Sequence, residues 1–189
     1  MPAQRLILAS ASPRRARILE SLGVPFRVRP AHADETVGPH ETPIAAVRRL
    51  AKLKARSTPR RSGDCVLAAD TVVVIEGSRI LGKPKDQREA RSMLRSLSGG
   101  SHVVATGVAL LWGTRTATAV DQTQVQFRRI TPGEIARYVR TGEPLDKAGA
   151  YHIEGGGAAF IESITGSPSN VAGLSVTTAR RLLKRAGIL

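Results

Sequence analysis

The sequence predicts an α/β fold, and three observations support that class. The chain opens with the pattern of a strand, a helix and a second strand. Further apolar runs of strand length alternate with segments whose apolar residues recur at helical spacing. With 189 residues, 41% of them hydrophobic, the chain can bury a core in one globular domain or in two small lobes around a cleft.

The first elements follow from short local patterns. The apolar run from Leu6 to Ala9 lacks helical spacing and predicts a strand. Ser12-Pro13 then supplies an N-cap and a first helical residue, and the helix ends at Gly23. The alternating segment PFRVRP predicts the second strand, and Thr42 is expected to cap a longer helix through IAAVRRLAKLKARS.

The middle of the chain contains its most apolar segment. VLAADTVVVI predicts one strand, or two strands broken near Asp70, and EGSR then turns the chain toward the loop LGKPKD. Asp86 is expected to cap the next helix, which ends at Gly99-Gly100. The β-branched segments on either side of Gly113-Thr114 predict two long strands in a hairpin.

The last part of the chain contains fewer regular patterns. Thr131 and Glu134 have the spacing of a capping box at the start of a short helix. The segment from Glu143 to Gly173 is rich in glycine and acidic residues and poor in helix patterns, and VTTARRLLKRAG predicts a terminal helix.

Composition limits the classes of function. Lys and Arg number 29 against 15 Asp and Glu, a net charge of +14 that favours phosphate-rich partners without naming nucleic acid, a small molecule or a membrane surface. Aromatic residues make up only 3%, which argues against base stacking. Cys65, the only cysteine, excludes an internal disulfide and predicts a buried apolar residue. With no segment of membrane-spanning length, we expect a cytoplasmic protein without membrane attachment.

The start of the first helix is a candidate phosphate site. Ser10 precedes Arg14 and Arg15, which lie in the first turn, where the helix already presents positive charge. Backbone N–H groups, hydroxyls and two guanidinium groups together suit a phosphate. A solvated basic turn remains an equal alternative.

Asp70 is the second candidate, because it interrupts an apolar run. A buried carboxylate needs a cation, a metal or hydrogen-bond donors, although an exposed turn residue is the alternative. Other charged residues stand in loops or at helix ends and are individually ordinary: the acids Asp34, Glu35, Glu143, Asp146 and Glu154, and the lysines Lys54, Lys83, Lys85 and Lys147. Oxygen ligands of this kind would select Mg²⁺ or Mn²⁺.

Common nucleotide-binding motifs are absent from the sequence. It contains neither the Walker pattern GxxxxGK[ST] nor GxGxxG after a strand, and Gly155-Gly156-Gly157 is more typical of a turn than of a phosphate cradle. The four histidines form no constellation, and His102 and His152 are expected in packing or surface roles.

Several long segments together resemble the Maf family of nucleoside triphosphate pyrophosphatases. They are LILASASPRRARILESLG, DET, LAKLKA, AADTVVV, LGKPKD, LSGGSHVVATGVAL and GEPLDKAGAYHIEGGGAAFIESITGSPSNVAGL. The resemblance implies a single domain over residues 1–189, with a mixed twisted sheet flanked by helices and two lobes around a deep cleft, as in inosine triphosphate pyrophosphatases (Maf/Ham1). It also implies a homodimer.

The same resemblance implies roles for individual residues. Asp70 matches the catalytic acid, which activates water directly or through a divalent metal, Mg²⁺ or Mn²⁺, with Glu35 as a further metal-site acid. The positions that match triphosphate contacts are Ser10, Arg14, Arg15, Lys54, Lys83 and Lys147. The implied products are a monophosphate and pyrophosphate.

Base specificity rests on three markers. Arg14 and Thr71 match the subfamily that resembles dTTP and UTP pyrophosphatases, whereas Glu154 replaces its Gln and matches the subfamily resembling 7-methyl-GTP pyrophosphatases. Two of three markers favour pyrimidine nucleotides, modified ones included. Ser175 also departs from the usual Pro after Gly-Leu. The alternative from another class is a nucleic-acid-binding or division-regulating protein, against which the sequence shows no basic tail and no recognition motif.

Overall fold

The computed structural model describes residues 5–189, whose β-strands form one mixed sheet. The strands are β1 (Arg5–Leu8), β2 (Phe26–Val28), β3 (Asp64–Ile75), β4 (Arg79–Leu81), β5 (Ser101–Trp112), β6 (Arg115–Phe127) and β7 (Ile161–Thr165). Their order is β2-β1-β3-β5-β6-β7, with β4 added beside β3. β1 runs parallel to β2 and β3, whereas β4 and β7 pair antiparallel with β3 and β6. The predicted mixed α/β class is confirmed.

Helices connect most of these strands. They are α1 (Pro13–Glu20), α2 (Pro43–Ser57), α3 (Gln87–Leu97), α4 (Pro132–Arg140), α5 (Pro168–Val171) and α6 (Val176–Arg185). Thr42 and Asp86 each accept a backbone N–H at their helix starts, and Thr131 and Glu134 form the complete capping box. Three short 3₁₀ turns lie between α4 and β7, at Glu143–Asp146, Ala148–Ala150 and Gly156–Phe160.

The chain divides into two compact units, each with a core of its own. The first comprises the described residues through Asp70 with Thr106–Asp121 and Gly173–Leu189, and the second comprises Thr71–Ala105 and Gln122–Ala172. Ile7, Val66 and Ala109 belong to the apolar core of the first unit. The core of the second contains Leu94 and Phe127 and most of the buried aromatic rings. The single domain over the whole chain remains a prediction.

Gly107 permits a close approach inside the first unit. A Cβ built at this position of β5 would lie 2.2 Å from the carbonyl oxygen of Val47 in α2. Backbone contact at this distance is possible only for a residue without a side chain. Gly107 therefore allows α2 to pack directly on the sheet.

Several local predictions need correction. β3 is one continuous strand through Asp70, so the alternative of two strands is wrong: the charge of Asp70 is compensated by a cation, and pairing need not be interrupted there. Ser12 stands at the N-cap of α1 but its side chain makes no cap bond. Short strands at β4 and β7 appear where turns and irregular chain were expected. Cys65 is buried as predicted, and burial raises the pKa of its thiol.

Among residues 5–189, the helices are too short or too polar to cross a bilayer.

Candidate active site

A buried ammonium group bound by two carboxylates is the most unusual feature of the first unit. Lys54 Nζ donates to Asp70 Oδ1 at 2.6 Å and lies 2.8 Å from Glu35 Oε2. Lys54 and Asp70 are 7% and 6% exposed, whereas the Glu35 side chain is 56% exposed. Buried opposite charges stabilise one another, and removal of either leaves the other uncompensated. We call these three residues the Lys54 centre.

Sheet topology explains where Asp70 stands. β1 pairs with β3 in parallel only as far as Leu8 and Leu67, and β4 begins its pairing at Val73. Asp70 therefore follows the point at which the parallel pair ends, although β3 itself continues. The carboxyl ends of parallel strands are the usual ligand-binding edge of an α/β sheet.

Lys54 reaches Asp70 from the last turns of α2. Ala51 and Ala55, on the same helix, are fully buried in the core of the first unit. This packing fixes the helix against the sheet, and the long apolar stem of Lys54 can follow the buried surface to the carboxylate. The alternative that Lys54 is an ordinary charged residue at a helix end is wrong, because its ammonium is buried in an ion pair.

Arg15, in the first turn of α1, is another cation of the first unit that hydrogen bonds hold in place. Arg15 donates from Nη1 to Ser10 Oγ at 3.3 Å and from Nε to the carbonyl of Gly173 at 2.8 Å. Ser10 is buried and also accepts the backbone N–H of Ser12. These bonds orient one guanidinium beside the amino terminus of α1, so the alternative of a merely solvated turn does not hold for Arg15.

Electrostatics link Arg15 to the Lys54 centre. Burial lowers the pKa of Arg15, the negative charge of Asp70 raises it, the neighbouring Arg14 lowers it, and Glu35 raises it. Arginine remains protonated in proteins despite such a shift. The carboxylates of Asp70 and Glu35 therefore act on Arg15, which relates the start of α1 to the Lys54 centre.

The remaining predicted site residues belong to the second unit. Thr71 follows Asp70 in β3 and is half-buried; since side chains alternate along a strand, the two face opposite sides. Lys83 is exposed, whereas Lys147 is buried and bound to its neighbour Asp146. A hydrogen bond of 3.0 Å from Gly149 N to Gly82 O joins the two lysine-bearing loops.

Glu154 is accompanied by a histidine. Its Oε2 lies 3.8 Å from His152 Nε2, and Nδ1 of the same ring lies 4.0 Å from Glu143 Oε1. The ring thus stands between two carboxylates. Glu154 itself is exposed.

Sequence reasoning missed two arrangements that shape these loops. In the second unit, Tyr138 donates to Glu143 Oε1 at 2.6 Å, and Gly156 N donates to Glu143 Oε2 at 3.2 Å. In the first, Arg49 donates to the Glu41 carboxylate from Nε and Nη2. Glu143 was one candidate metal ligand among several, and nothing in the spacing indicated either partner.

The fold and the Lys54 centre define a class of protein: an α/β protein that gathers cations and carboxylates at the carboxyl ends of parallel strands, where phosphorylated ligands bind. A comparison with protein families matches residues 5–186 to the family described as Maf-like protein. The chain belongs to the Maf family, which confirms the resemblance inferred from its sequence segments.

Full-length relatives are similar to this chain throughout. A protein of Anaeromyxobacter dehalogenans named dTTP/UTP pyrophosphatase is 51% identical, covering 98% of this chain and 95% of the relative. A protein of Moorella thermoacetica with the same name is 48% identical over 97% and 96% of the two chains. Among solved structures, the Ham1 protein of Staphylococcus aureus matches with a TM-score of 0.48 at 12% identity, over 65% and 71% of the chains, a likeness too weak to support an inference.

Proposed function

We propose that this protein hydrolyses dTTP and UTP to the nucleoside monophosphate and pyrophosphate. The observation that supports this most is the Lys54 centre, because a buried carboxylate held by a cation is equipped to act on water. The relatives named dTTP/UTP pyrophosphatase support the choice of substrate.

Cationic side chains are proposed to bind the triphosphate. Arg14 and Arg15 stand in the first turn of α1, where the helix terminus also favours an anion. Arg15 is already oriented by Ser10 and the Gly173 carbonyl, so its fork loses little freedom on binding. Lys83 and Lys147 supply further cations for the leaving pyrophosphate.

A divalent cation, Mg²⁺ or Mn²⁺, fits the carboxylates of the Lys54 centre. Glu35 and Asp70 offer hard oxygen ligands that already converge on one positive group. Within residues 5–189, no cluster of three or more His, Cys, Asp or Glu side chains is arranged to hold an ion alone. Mg²⁺ typically uses one or two carboxylates together with substrate phosphates. When bound, the cation would neutralise charge on the phosphate oxygens.

Asp70 is proposed to receive the proton of the attacking water. The water oxygen forms the new bond to the α-phosphorus, and the bond to the bridging oxygen breaks, so that pyrophosphate leaves with the electron pair. A carboxylate has about four lone-pair sites, so its bond to Lys54 leaves capacity for this contact. The hydrogen bond from Lys54 orients Asp70 for this step.

The base is proposed to contact Glu154. An ionised Glu only accepts hydrogen bonds, which suits the N3–H of uracil or thymine. The alternative substrate is 7-methyl-GTP, which Glu154 favours by its match to that subfamily. Arg14 and Thr71 favour the pyrimidines, and we give them the greater weight.

A substrate comparison tests the choice of base. Initial rates with dTTP, UTP and 7-methyl-GTP would be measured for the wild type, for Glu154→Gln, and for the control Glu162→Gln on exposed β7. We expect dTTP and UTP to exceed 7-methyl-GTP for all three proteins, with only Glu154→Gln altering the ratio. A wild type that prefers 7-methyl-GTP would overturn the pyrimidine assignment.

Location and assembly are further proposals. We propose that the protein is cytoplasmic and, following the family resemblance, that it forms a homodimer. Sedimentation equilibrium at micromolar concentration would test the dimer, which predicts twice the chain mass of 20.1 kDa.

A further inference from the structure

We propose that Arg49 is a positioning residue that ties the loop bearing Glu35 to helix α2 and so holds Glu35 against Lys54. This inference rests on the proposed function, in which Glu35 takes part in the reaction. We call the contacts among Arg49, Glu41 and Thr36 the Arg49 latch.

The latch consists of three hydrogen bonds from one guanidinium group. Nε of Arg49 donates to Glu41 Oε1 at 2.7 Å, and Nη2 donates to Glu41 Oε2 at 2.6 Å. The same Nη2 donates to the carbonyl oxygen of Thr36 at 2.9 Å. Bidentate pairs of this kind are among the strongest charge-assisted bonds in proteins. One side chain of α2 thus binds two points of the loop, five residues apart.

The loop is shaped by further bonds on either side of the latch. Glu41 Oε2 also accepts Gly38 N at 3.2 Å. Asp34 Oδ1 accepts both the backbone N–H and the hydroxyl of Thr36, at 2.9 and 2.6 Å. Glu35 lies between Asp34 and Thr36 in the chain, so the turn that the latch anchors fixes its backbone.

Glu35 depends on this support because its own contact is weak. Its side chain is 56% exposed, and it forms an ion pair with Lys54 at 2.8 Å. An exposed ion pair alone contributes little to holding a side chain in place. No helix or strand includes residues 34–41, so the latch supplies the rigidity that regular structure would otherwise give.

Arginine is required at position 49 for a geometric reason. A lysine could pair with Glu41, but its compact ammonium cannot bind both carboxylate oxygens and the Thr36 carbonyl from a fixed fork. The bond to Glu41 raises the pKa of Arg49, burial lowers it, and the charges of Glu41, Asp34 and Asp70 raise it. The bond to Arg49 in turn lowers the pKa of Glu41.

The test compares Arg49→Lys with Arg48→Lys, its exposed neighbour on α2 that lies outside the latch. Backbone hydrogen exchange of residues 34–41 and Mn²⁺ binding, followed by electron paramagnetic resonance without nucleotide, would be measured first. We expect faster exchange at Thr36 and Gly38 and about tenfold weaker Mn²⁺ binding for Arg49→Lys, as outer-shell changes typically give. Arg48→Lys should match the wild type.

Combination with Glu35→Gln shows whether Arg49 acts through Glu35. In dTTP hydrolysis at varied Mn²⁺, adding Arg49→Lys to Glu35→Gln should produce no further loss. The latch would be overturned if Arg49→Lys reduced dTTP hydrolysis equally in the wild type and in Glu35→Gln. It would also be overturned if the hydrogen exchange and Mn²⁺ binding of Arg49→Lys matched those of Arg48→Lys. A wild type that releases no pyrophosphate would refute the proposed function alone, since exchange and Mn²⁺ binding still decide the latch.

Discussion

Asp70 and Lys54 show what a sequence can predict about a single residue. An acid inside an apolar run must be compensated, so the sequence predicted that Asp70 had a partner. The sequence could not identify Lys54 as that partner, because the two residues lie 16 positions apart on different elements. Only the packing of α2 on the sheet brings them together. Arg49 was missed because an arginine on an exposed helical face has no distinctive local pattern.

Replacement of Asp70 by Asn tests its role directly. Asn keeps an oxygen that can accept from Lys54, but it has neither the charge nor the basicity of a carboxylate. We expect dTTP hydrolysis to fall by about 10²- to 10⁴-fold, the usual contribution of a general base. Circular dichroism and urea unfolding would show whether the fold is retained.

The matched control for this change is Asp64→Asn in the same strand. Asp64 is also buried and paired, in its case with Arg5, but it stands at the other end of β3. Its variant should keep nearly full turnover even if it loses stability. If Asp70→Asn kept as much activity as Asp64→Asn, Asp70 would not be the catalytic acid.

His102 is expected to make stability depend on pH. Its ring is buried against Phe127 and Tyr151, and burial lowers its pKa to about 4. The unfolded chain, with a histidine pKa near 6.5, therefore takes up a proton that the folded chain does not. The stability that neutral His102 contributes is fully present above about pH 6.5. It is lost as the pH decreases to about 4, by up to about 3 kcal/mol.

Urea unfolding at pH 7 and pH 5 measures this effect. His102→Gln can keep a hydrogen bond to Tyr151 but does not titrate, so its stability should fall less between the two values. The other histidines, His32, His40 and His152, remain in both proteins and cancel in the comparison. Parallel losses in the two proteins would contradict the role given to His102.

Elements with strong end signals were predicted well. Thr42, Asp86 and Thr131 cap helices because a side-chain oxygen can satisfy an N–H group within its own turn, which is a local property. β4 and β7 were missed because they are only three and five residues long, and because α4 and three 3₁₀ turns separate β7 from its partner β6. Pairing, and not local preference, forms such strands.

The glycine-rich segment after α4 has a packing role that its sequence does not disclose. A Cβ at Gly155 would lie 2.5 Å from Glu143 Oε2, and one at Gly157 would lie 2.7 Å from the backbone of His152. Burial acts to raise the pKa of Glu143, but bonds from Tyr138 and the glycine N–H groups outweigh it, and the pKa is lowered. Glu143 therefore anchors the loop that bears Glu154.

Glu143→Gln is predicted to loosen this element. The amide NH₂ of Gln cannot accept from a glycine N–H, so at least one donor loses its bond to residue 143, at a cost of about 0.5 to 1.5 kcal/mol. Urea unfolding and hydrogen exchange at residues 152–157 would measure the change. The exposed Glu162→Gln serves as control, and equal behaviour of the two variants would refute the anchor.

At the scale of the whole molecule, alternating strand and helix patterns predicted the mixed α/β class correctly. The order of the strands could not be predicted, because β3 pairs with β1 and β5 through contacts far apart in sequence. The composition predicted that enough apolar residues were present to form a core. It could not predict that they would be divided between two cores. The deep cleft between lobes remains a prediction.

The net charge of +14 allows a test of the nucleic-acid alternative. If the charge serves only a small phosphorylated substrate, binding to a DNA duplex should be weak at 150 mM salt. Gel shifts across a salt series would measure it. Tight binding that falls steeply with salt would instead support a nucleic-acid partner.

The products of dTTP hydrolysis test the central claim most directly. Purified wild-type protein with Mg²⁺ or Mn²⁺ would be assayed with separate detection of pyrophosphate and orthophosphate. A pyrophosphatase with Asp70 acting on water at the α-phosphorus must release one pyrophosphate for each dTMP. Orthophosphate and dTDP as the first products would contradict that account.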